Sequence, residues 1–184
     1  METDHKEMEV INRRSINIKD LVIRLLALAL TLVAAVVLGV DKQNTTVAIT
    51  LVPSLPPVNL PVTAKWTHLS AFVYLVIANA IAFSYAATSL ILTVVTRGKS
   101  KLVTLITTIL DLVMVALLFS AIGATGSVGL IGYKGNSHVK WDKVCNVFDT
   151  FCYRVTVSLL ISFAASVAYI VLIVIAFLNL YKKY

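Results

Sequence analysis

Charged residues are scarce in this sequence, and their scarcity excludes an ordinary water-soluble domain. Of the 184 residues, 14% are charged and 59% are hydrophobic, and the mean hydropathy is +0.90. Soluble domains carry about 25% charged residues. The chain also has two cysteines and three histidines and contains no HExxH, GxSxG, Walker loop or paired carboxylates on one helix. It therefore predicts no enzyme, no bound metal and no cofactor.

Long apolar runs are what the sequence has in excess. Four of them occupy residues 21–40, 69–95, 102–131 and 155–180, and about 20 apolar residues cross the hydrocarbon core of a bilayer. We predict an all-α membrane protein, an antiparallel four-helix transmembrane bundle. The remaining segments are a polar N-terminal segment 1–20, loops 41–68 and 132–154, a short loop 96–101 and a tail 181–184. The first run lacks a cleavage site and is expected to stay in the protein as a signal anchor.

The placement of lysine and arginine predicts the orientation. The N-terminal segment, the short loop and the tail hold nine of these residues, and the two longer loops hold six. Short basic connections stay in the cytosol, so both termini are expected there, with loops 41–68 and 132–154 outside. The net charge of +7 then suggests contact with anionic lipids of the bilayer. No motif for nucleic acid is present.

Arg24 and Asp111 are the only charged side chains within the four runs. Charges inside a membrane usually face the bundle interior and pair, so we predict an Arg24–Asp111 ion pair that fixes the register of the helices. Their depths differ by roughly 8 Å unless the third helix enters the membrane about one turn later. Two alternatives remain open. Either Arg24 snorkels to the interface above a protonated Asp111, or Asp111 belongs to an ion or proton path along the second span.

Glycines recur every third residue near the end of the third run, at Gly123, Gly126 and Gly129. No strand precedes them, so they do not form a phosphate-binding loop. We predict that they allow close helix packing, within one bundle or between protomers, or loosen the helix into the outer loop.

The two outer loops are expected to form a small ordered extracellular cap. The β-branched stretch TTVAITLV predicts an extended segment packed against the second loop, and the following PSLPPVNLP cannot be helical. Asn44 begins a glycosylation sequon, but it follows the first span too closely for efficient modification.

The second outer loop carries both cysteines, Cys145 and Cys152. An even count in an oxidising compartment favours a disulfide, and two free buried thiols are the alternative. On one regular helix the two residues would lie roughly 10 Å apart along the axis, so a bridge requires a turn between them.

Taken together, these residues resemble the plant Casparian strip membrane domain protein-like (CASP-like) family. The resemblance rests on Arg24, Asp111, the short basic loop and the W-x3-C-x6-C segment of Trp141, Cys145 and Cys152, and it extends from about Ile18 to Tyr181. The first-loop text TLVPSLPPVNLPVTAKW is similar to the subgroup that lacks the first-loop signature of the strip-forming members. The resemblance therefore implies a membrane scaffold and does not extend to a role in the endodermal barrier itself.

The resemblance implies a plasma-membrane protein with four spans and cytosolic termini, related at a distance to MARVEL-type junction proteins. Founding members of the family assemble into an immobile platform and gather cell-wall-modifying enzymes such as peroxidases. Expected partners are thus the lipid bilayer, further copies or related four-span proteins as a homo- or hetero-oligomer, and such enzymes. A channel or transporter subunit remains the competing hypothesis: it needs a continuous polar path past Asp111, whereas a scaffold needs a dry interior.

Overall fold

The computed structural model describes residues 2–49, 58–96, 101–135, 138 and 143–181. Most of them belong to four helices, α1 (Glu2–Gly39), α2 (Ser70–Thr96), α3 (Lys101–Lys134) and α4 (Asp149–Tyr181). Each contains a segment long and apolar enough to cross a membrane. Such runs must be helical because hydrocarbon offers no partner for backbone N–H and C=O groups. The predicted all-α, four-span membrane fold is confirmed.

Two helix boundaries differ from the predicted spans. Helix α1 is continuous from Glu2, so residues 2–20 of the polar N-terminal segment are an extension of the first helix and not a separate element. Helix α4 begins at Asp149, within the stretch predicted as outer loop 132–154. The Asp149 carboxylate accepts a hydrogen bond from the Thr150 amide at 2.7 Å, and an acid in the first turn favours a helix start. A polar stretch before residue 155 therefore starts the helix.

The helices run antiparallel in the cyclic order α1–α2–α3–α4, and each packs mainly against the two that flank it. Hydrogen bonds join the early part of one helix to the late part of its neighbour, in the pairs Arg24–Ser89, Ala71–Thr125 and Ser158–Ala34. The start of α1 and the end of α4 therefore lie at the same end of the bundle. We call this the terminal end, and the opposite one the cap end.

Small and branched apolar side chains fill the space between the helices. Every helix has a fully buried alanine, among them Ala27, Ala78, Ala121 and Ala165. Such small residues let transmembrane backbones approach closely. Larger side chains, including Leu38 and Leu75, complete a continuous apolar core.

A β-hairpin at the cap end follows α1. Strand β1 (Lys42–Ile49) pairs antiparallel with β2 (Val58–Lys65), from Lys42 opposite Lys65 to Ile49 opposite Val58. The predicted extended segment is present from Thr45 to Ile49, and its remaining residues 50–52 lie outside the described residues. Its ladder partner is β2, and Gln43 on the same strand also contacts Asp149 and Phe151, in the stretch predicted as the second outer loop. Strand β2 was not predicted because it contains Pro61. Each strand of a two-stranded sheet is an edge strand, where proline is tolerated.

Candidate functional site

Arg24 lies six residues after the start of the membrane segment of α1 at Ile18 and points into the bundle. Its side chain is 6% exposed. The guanidinium Nε donates to Asp20 at 3.2 Å, and Nη1 donates to the Ser89 hydroxyl at 3.1 Å. Nη1 and Nη2 also donate to the two carboxylate oxygens of Asp111, at 3.4 and 3.3 Å. The planar fork of the guanidinium suits this two-point contact.

Asp111 on α3 is fully buried, and a neutral donor completes its surroundings. The Tyr85 hydroxyl lies 2.7 Å from Asp111 Oδ1 and 2.9 Å from the Thr107 carbonyl oxygen. A buried carboxylate is tolerated when it is paired and hydrogen-bonded. Arg24 and Asp111 thus meet despite the depth offset of roughly 8 Å expected from their places in sequence.

The ion pair crosses the diagonal of the bundle. Its residues belong to α1 and α3, which are not neighbours in the ring of helices. Tyr85 and Ser89 come from α2, and the ring of Tyr169 on α4 lies 6.2 Å from that of Tyr85. All four helices therefore meet at this polar cluster, which we define as Asp20, Arg24, Tyr85, Ser89 and Asp111.

A mainly apolar region lies between the polar cluster and the cap end. Neutral polar groups continue for about two turns beyond Arg24, and the Asn79 amide donates to the Ser162 hydroxyl at 2.9 Å. Beyond these groups lies one continuous hydrophobic cluster with residues from every helix: Leu38, Leu75, Leu118, Ala121 and Val155. The buried hydroxyl groups of Ser158 and Thr125 lie among them, and each donates to a backbone carbonyl oxygen of a neighbouring helix.

The chemistry available to the polar cluster is limited. It contains one guanidinium, two carboxylates and two hydroxyl groups, with no thiol or imidazole. Among the residues that the structure describes, no three His, Cys, Asp or Glu side chains are grouped so that they could hold a metal ion. The arrangement can bind the helices together, or hold a proton at Asp111.

A second ion pair ties the hairpin to α4 at the cap end. Asp41, 1% exposed at the end of α1, accepts a hydrogen bond from Arg154 at 2.9 Å. Burial raises the pKa of Asp41, and the nearby Arg154 only partly offsets this. Gln43 on β1 accepts a hydrogen bond from the Phe151 amide at 2.7 Å. That amide is one of those left without an intrahelical partner at a helix start, so β1 supplies the cap.

Cys145 and Cys152 form a disulfide, and their Cα atoms lie 5.7 Å apart. Cys145 belongs to a short 3-10 turn, Val144–Asn146, and Cys152 to the first turn of α4, which begins only at Asp149. The turn required between the two cysteines is therefore present. Trp141, the third residue of the predicted outer-loop motif, lies outside the described residues.

Comparison with known proteins agrees with this arrangement. The family model for the Casparian strip membrane protein domain matches residues 13–168. The chain belongs to the CASP-like family. It is 54% identical to CASP-like protein 1E2 of Vitis vinifera over 184 residues, which cover 100% of this chain and 94% of that protein. It is 50% identical to CASP-like protein 1E1 of Glycine max, with 98% and 97% covered, and 49% identical to CASP-like protein 1E1 of Arabidopsis thaliana, with 96% and 95% covered. No solved structure matches the chain.

The three glycines of this CASP-like chain do not pack closely against its other helices. Within the described part of the chain, a Cβ atom built on Gly123, Gly126 or Gly129 meets no atom of another helix or side chain within 4 Å. The predicted packing role within one bundle is therefore wrong for these positions. Packing between protomers remains a prediction.

Sequence reasoning placed Arg24 and Asp111 together but missed the groups that surround them. Neither Tyr85 nor Ser89 stands out among the residues of the second span, and Asp20 falls in the segment 1–20 predicted before the first. The spacing of Asp20 and Arg24, four residues apart on one helix face, is a signal that could have found the first contact. Nothing in the sequence distinguishes Tyr85 from the other polar residues of α2.

Proposed function

We propose that this CASP-like protein is a structural protein of the plasma membrane that associates laterally and organises a membrane domain. Its partners would be further copies or related four-span proteins, and the domain would serve the attachment or modification of the cell wall. Both termini would face the cytosol, with the hairpin and the disulfide outside. The proposal includes no catalysis by the chain.

The observation that carries this proposal is the closed interior of the bundle. The buried charges are used to join helices, and the hydrophobic cluster that includes Leu75 and Leu118 lies between them and the cap end. The buried hydroxyl groups within that region are bonded to backbone carbonyl oxygens. What remains for contact with other molecules is the lateral surface and the cap. The lateral surface is apolar on every helix, with exposed side chains that include Leu25, Ile91, Leu112 and Leu160.

Lateral association needs specific contacts because lipid already solvates apolar helix faces. Gly123 offers one such place, since its surroundings within the chain are open. The cap offers another, because it projects groups that lipid does not cover. We propose that protomers meet through these two kinds of surface.

The experiment that tests the proposal is a measurement of mass in nanodiscs combined with lateral mobility in cells. We expect particles that contain several copies of the 20.0 kDa chain and slow fluorescence recovery of a tagged protein after bleaching. Gly123→Leu should lower the assembled fraction. A strictly monomeric mass in several detergents and in nanodiscs, with fast recovery in cells, would contradict the proposal.

A channel or transporter subunit is the second candidate, and one observation favours it. Asp20 is 22% exposed at the terminal end, and buried Thr31, Asn79 and Ser162 continue the polar interior beyond Arg24. The test is ion and proton flux into liposomes that contain the purified protein. If Asp111→Asn folds and reaches the membrane normally while a flux is lost, the transport function replaces the structural one.

A further inference from the structure

A groove of about 450 Å³ lies near the cap end, between the start of α2, the end of α3 and the start of α4. The rings of Phe72 and Phe151 line it, with their centroids 5.7 Å apart. The Cys145–Cys152 disulfide lines it as well. The disulfide therefore fixes the short turn at Cys145 against the start of α4 on one side of the groove.

Glycines on α3 make room for the groove. Gly126 and Gly129 line it, and a Cβ atom added to either would meet no side chain or neighbouring helix of the described residues within 4 Å. Larger residues at these positions would project into open space and not into a neighbouring helix. The groove is thus open because these two residues have no side chains. A larger residue at either position would fill it without a clash inside the bundle.

The bilayer is the natural source of an occupant. Leu130 and Ile131 also line the groove and are 54% and 40% exposed, on the helix segment Leu102–Lys134 that is apolar enough to cross the membrane. The groove is therefore continuous with the lipid-facing surface of the protein. An apolar groove in that position is filled by the apolar part of a lipid.

The chemistry of the lining indicates which lipid. None of the described lining residues is charged, so the groove offers no partner for a phosphate. The lining of α3 from Gly126 to Tyr133 extends about 10 Å, which is shorter than the roughly 15 Å that an acyl chain needs to reach the middle of the hydrocarbon core. A short, broad and uncharged groove suits a rigid ring system better than an extended chain.

We propose that this groove binds one membrane sterol. Its ring system would lie against the α3 backbone at Gly126 and Gly129, and its single hydroxyl group would meet the phenol of Tyr133. Tyr133 stands at the cap end of α3, and tyrosines are enriched at the level of the lipid headgroups, where a sterol carries its hydroxyl. The disulfide and Phe151 would enclose the opposite face.

The test uses the full-length protein in nanodiscs with a photoactivatable sterol. We expect the wild type to be labelled within 126–133 or 144–159, with unlabelled sterol competing. Gly126→Leu and Gly129→Leu should each lower labelling about tenfold or more, since a side chain placed in an occupied site costs that much affinity. Ser127→Leu is the matched control, because Ser127 is an exposed residue of the same helix that does not line the groove. It should label like the wild type.

Further measurements keep the proposal falsifiable. Thiol counting and circular dichroism verify folding of each variant, and Tyr133→Phe provides a milder change that should lower labelling about two- to tenfold through loss of one hydrogen bond. Three results overturn the proposal. The first is labelling that is unchanged in both leucine variants, and the second is equal labelling and competition by a photoactivatable phosphatidylcholine. The third is a wild type that the photoactivatable sterol does not label, or labels only outside 126–133 and 144–159.

Discussion

Removing Arg24 from the buried ion pair should lower the stability of the protein more than removing Asp111. Asp111→Ala leaves Arg24 with Asp20 at 3.2 Å and Ser89 at 3.1 Å. Arg24→Ala leaves Asp111, which is fully buried, with only the Tyr85 hydroxyl among the contacts that hold it in the structure. A stranded buried charge costs about 3–5 kcal/mol. We expect Arg24→Ala to reach that range and Asp111→Ala to fall below it, because Asp20 remains as a counter-ion.

The assay is thermal unfolding of the purified variants in nanodiscs, followed by near-UV circular dichroism. For a chain of this length, 3–5 kcal/mol corresponds to a fall in Tm of about 6–20 °C. The double variant Arg24→Leu with Asp111→Leu should lose less than Arg24→Ala, since no charge is then left unpaired. The exchange Arg24→Asp with Asp111→Arg should recover part of the loss.

Two results would refute this reasoning. If Asp111→Ala is more damaging than Arg24→Ala, then Asp20 does not act as a second counter-ion. If the double-mutant cycle gives a coupling free energy near zero, the two side chains do not stabilise one another, and the contact at 3.3 Å has no energetic role.

Three further predictions concern the cap and the topology. Burial raises the pKa of Asp41 in the folded protein. The stability that this group contributes is fully present below its unfolded pKa of about 3.9 and is lost as the pH rises through the folded pKa. The free energy of unfolding, measured against pH, should therefore fall over that range in the wild type and not in Asp41→Asn. Replacing Cys145 and Cys152 with serine should lower stability by about 2–4 kcal/mol, and two free thiols in denatured, non-reduced wild type taken from the cell surface would reject the bridge. A cysteine introduced at Thr46 should react with an impermeant reagent on intact cells and one at Ser100 should not; reaction of both would show that the orientation is wrong.

The four spans could be predicted from the sequence because bilayer insertion depends on composition over about 20 residues. The Arg24–Asp111 contact could be predicted for a related reason. Only two charges lie deep within the runs, and an unpaired charge in hydrocarbon is costly. The four spans and the ion pair both follow from the apolar environment of the bilayer, and neither requires knowledge of how the side chains pack.

Features that depend on local competition could not be predicted. Strand β2 contains Pro61, and proline argues against a strand inside a sheet. It is tolerated on an edge strand, but the sequence does not show that the sheet has only two strands. The early start of α4 depends on Gln43 as well as on the local Asp149. The side-chain oxygen of Gln43 accepts a hydrogen bond from the Phe151 amide, 108 residues away in sequence. The empty surroundings of Gly126 and Gly129 depend on which face of α3 meets its neighbours, and a spacing of three residues does not reveal that.

The separation of the ion pair along the chain has a consequence for the synthesis of the protein. Asp111 follows Arg24 by 87 residues, and at the usual rate of translation the carboxylate is made about 4–17 s after the guanidinium. During that interval α1 has to remain near the membrane with its charge unmet by α3. Asp20, four residues before Arg24, is already present and can serve as the first counter-ion. Loss of Asp20 should therefore slow the entry of the nascent first helix into the bilayer more than it weakens the finished bundle.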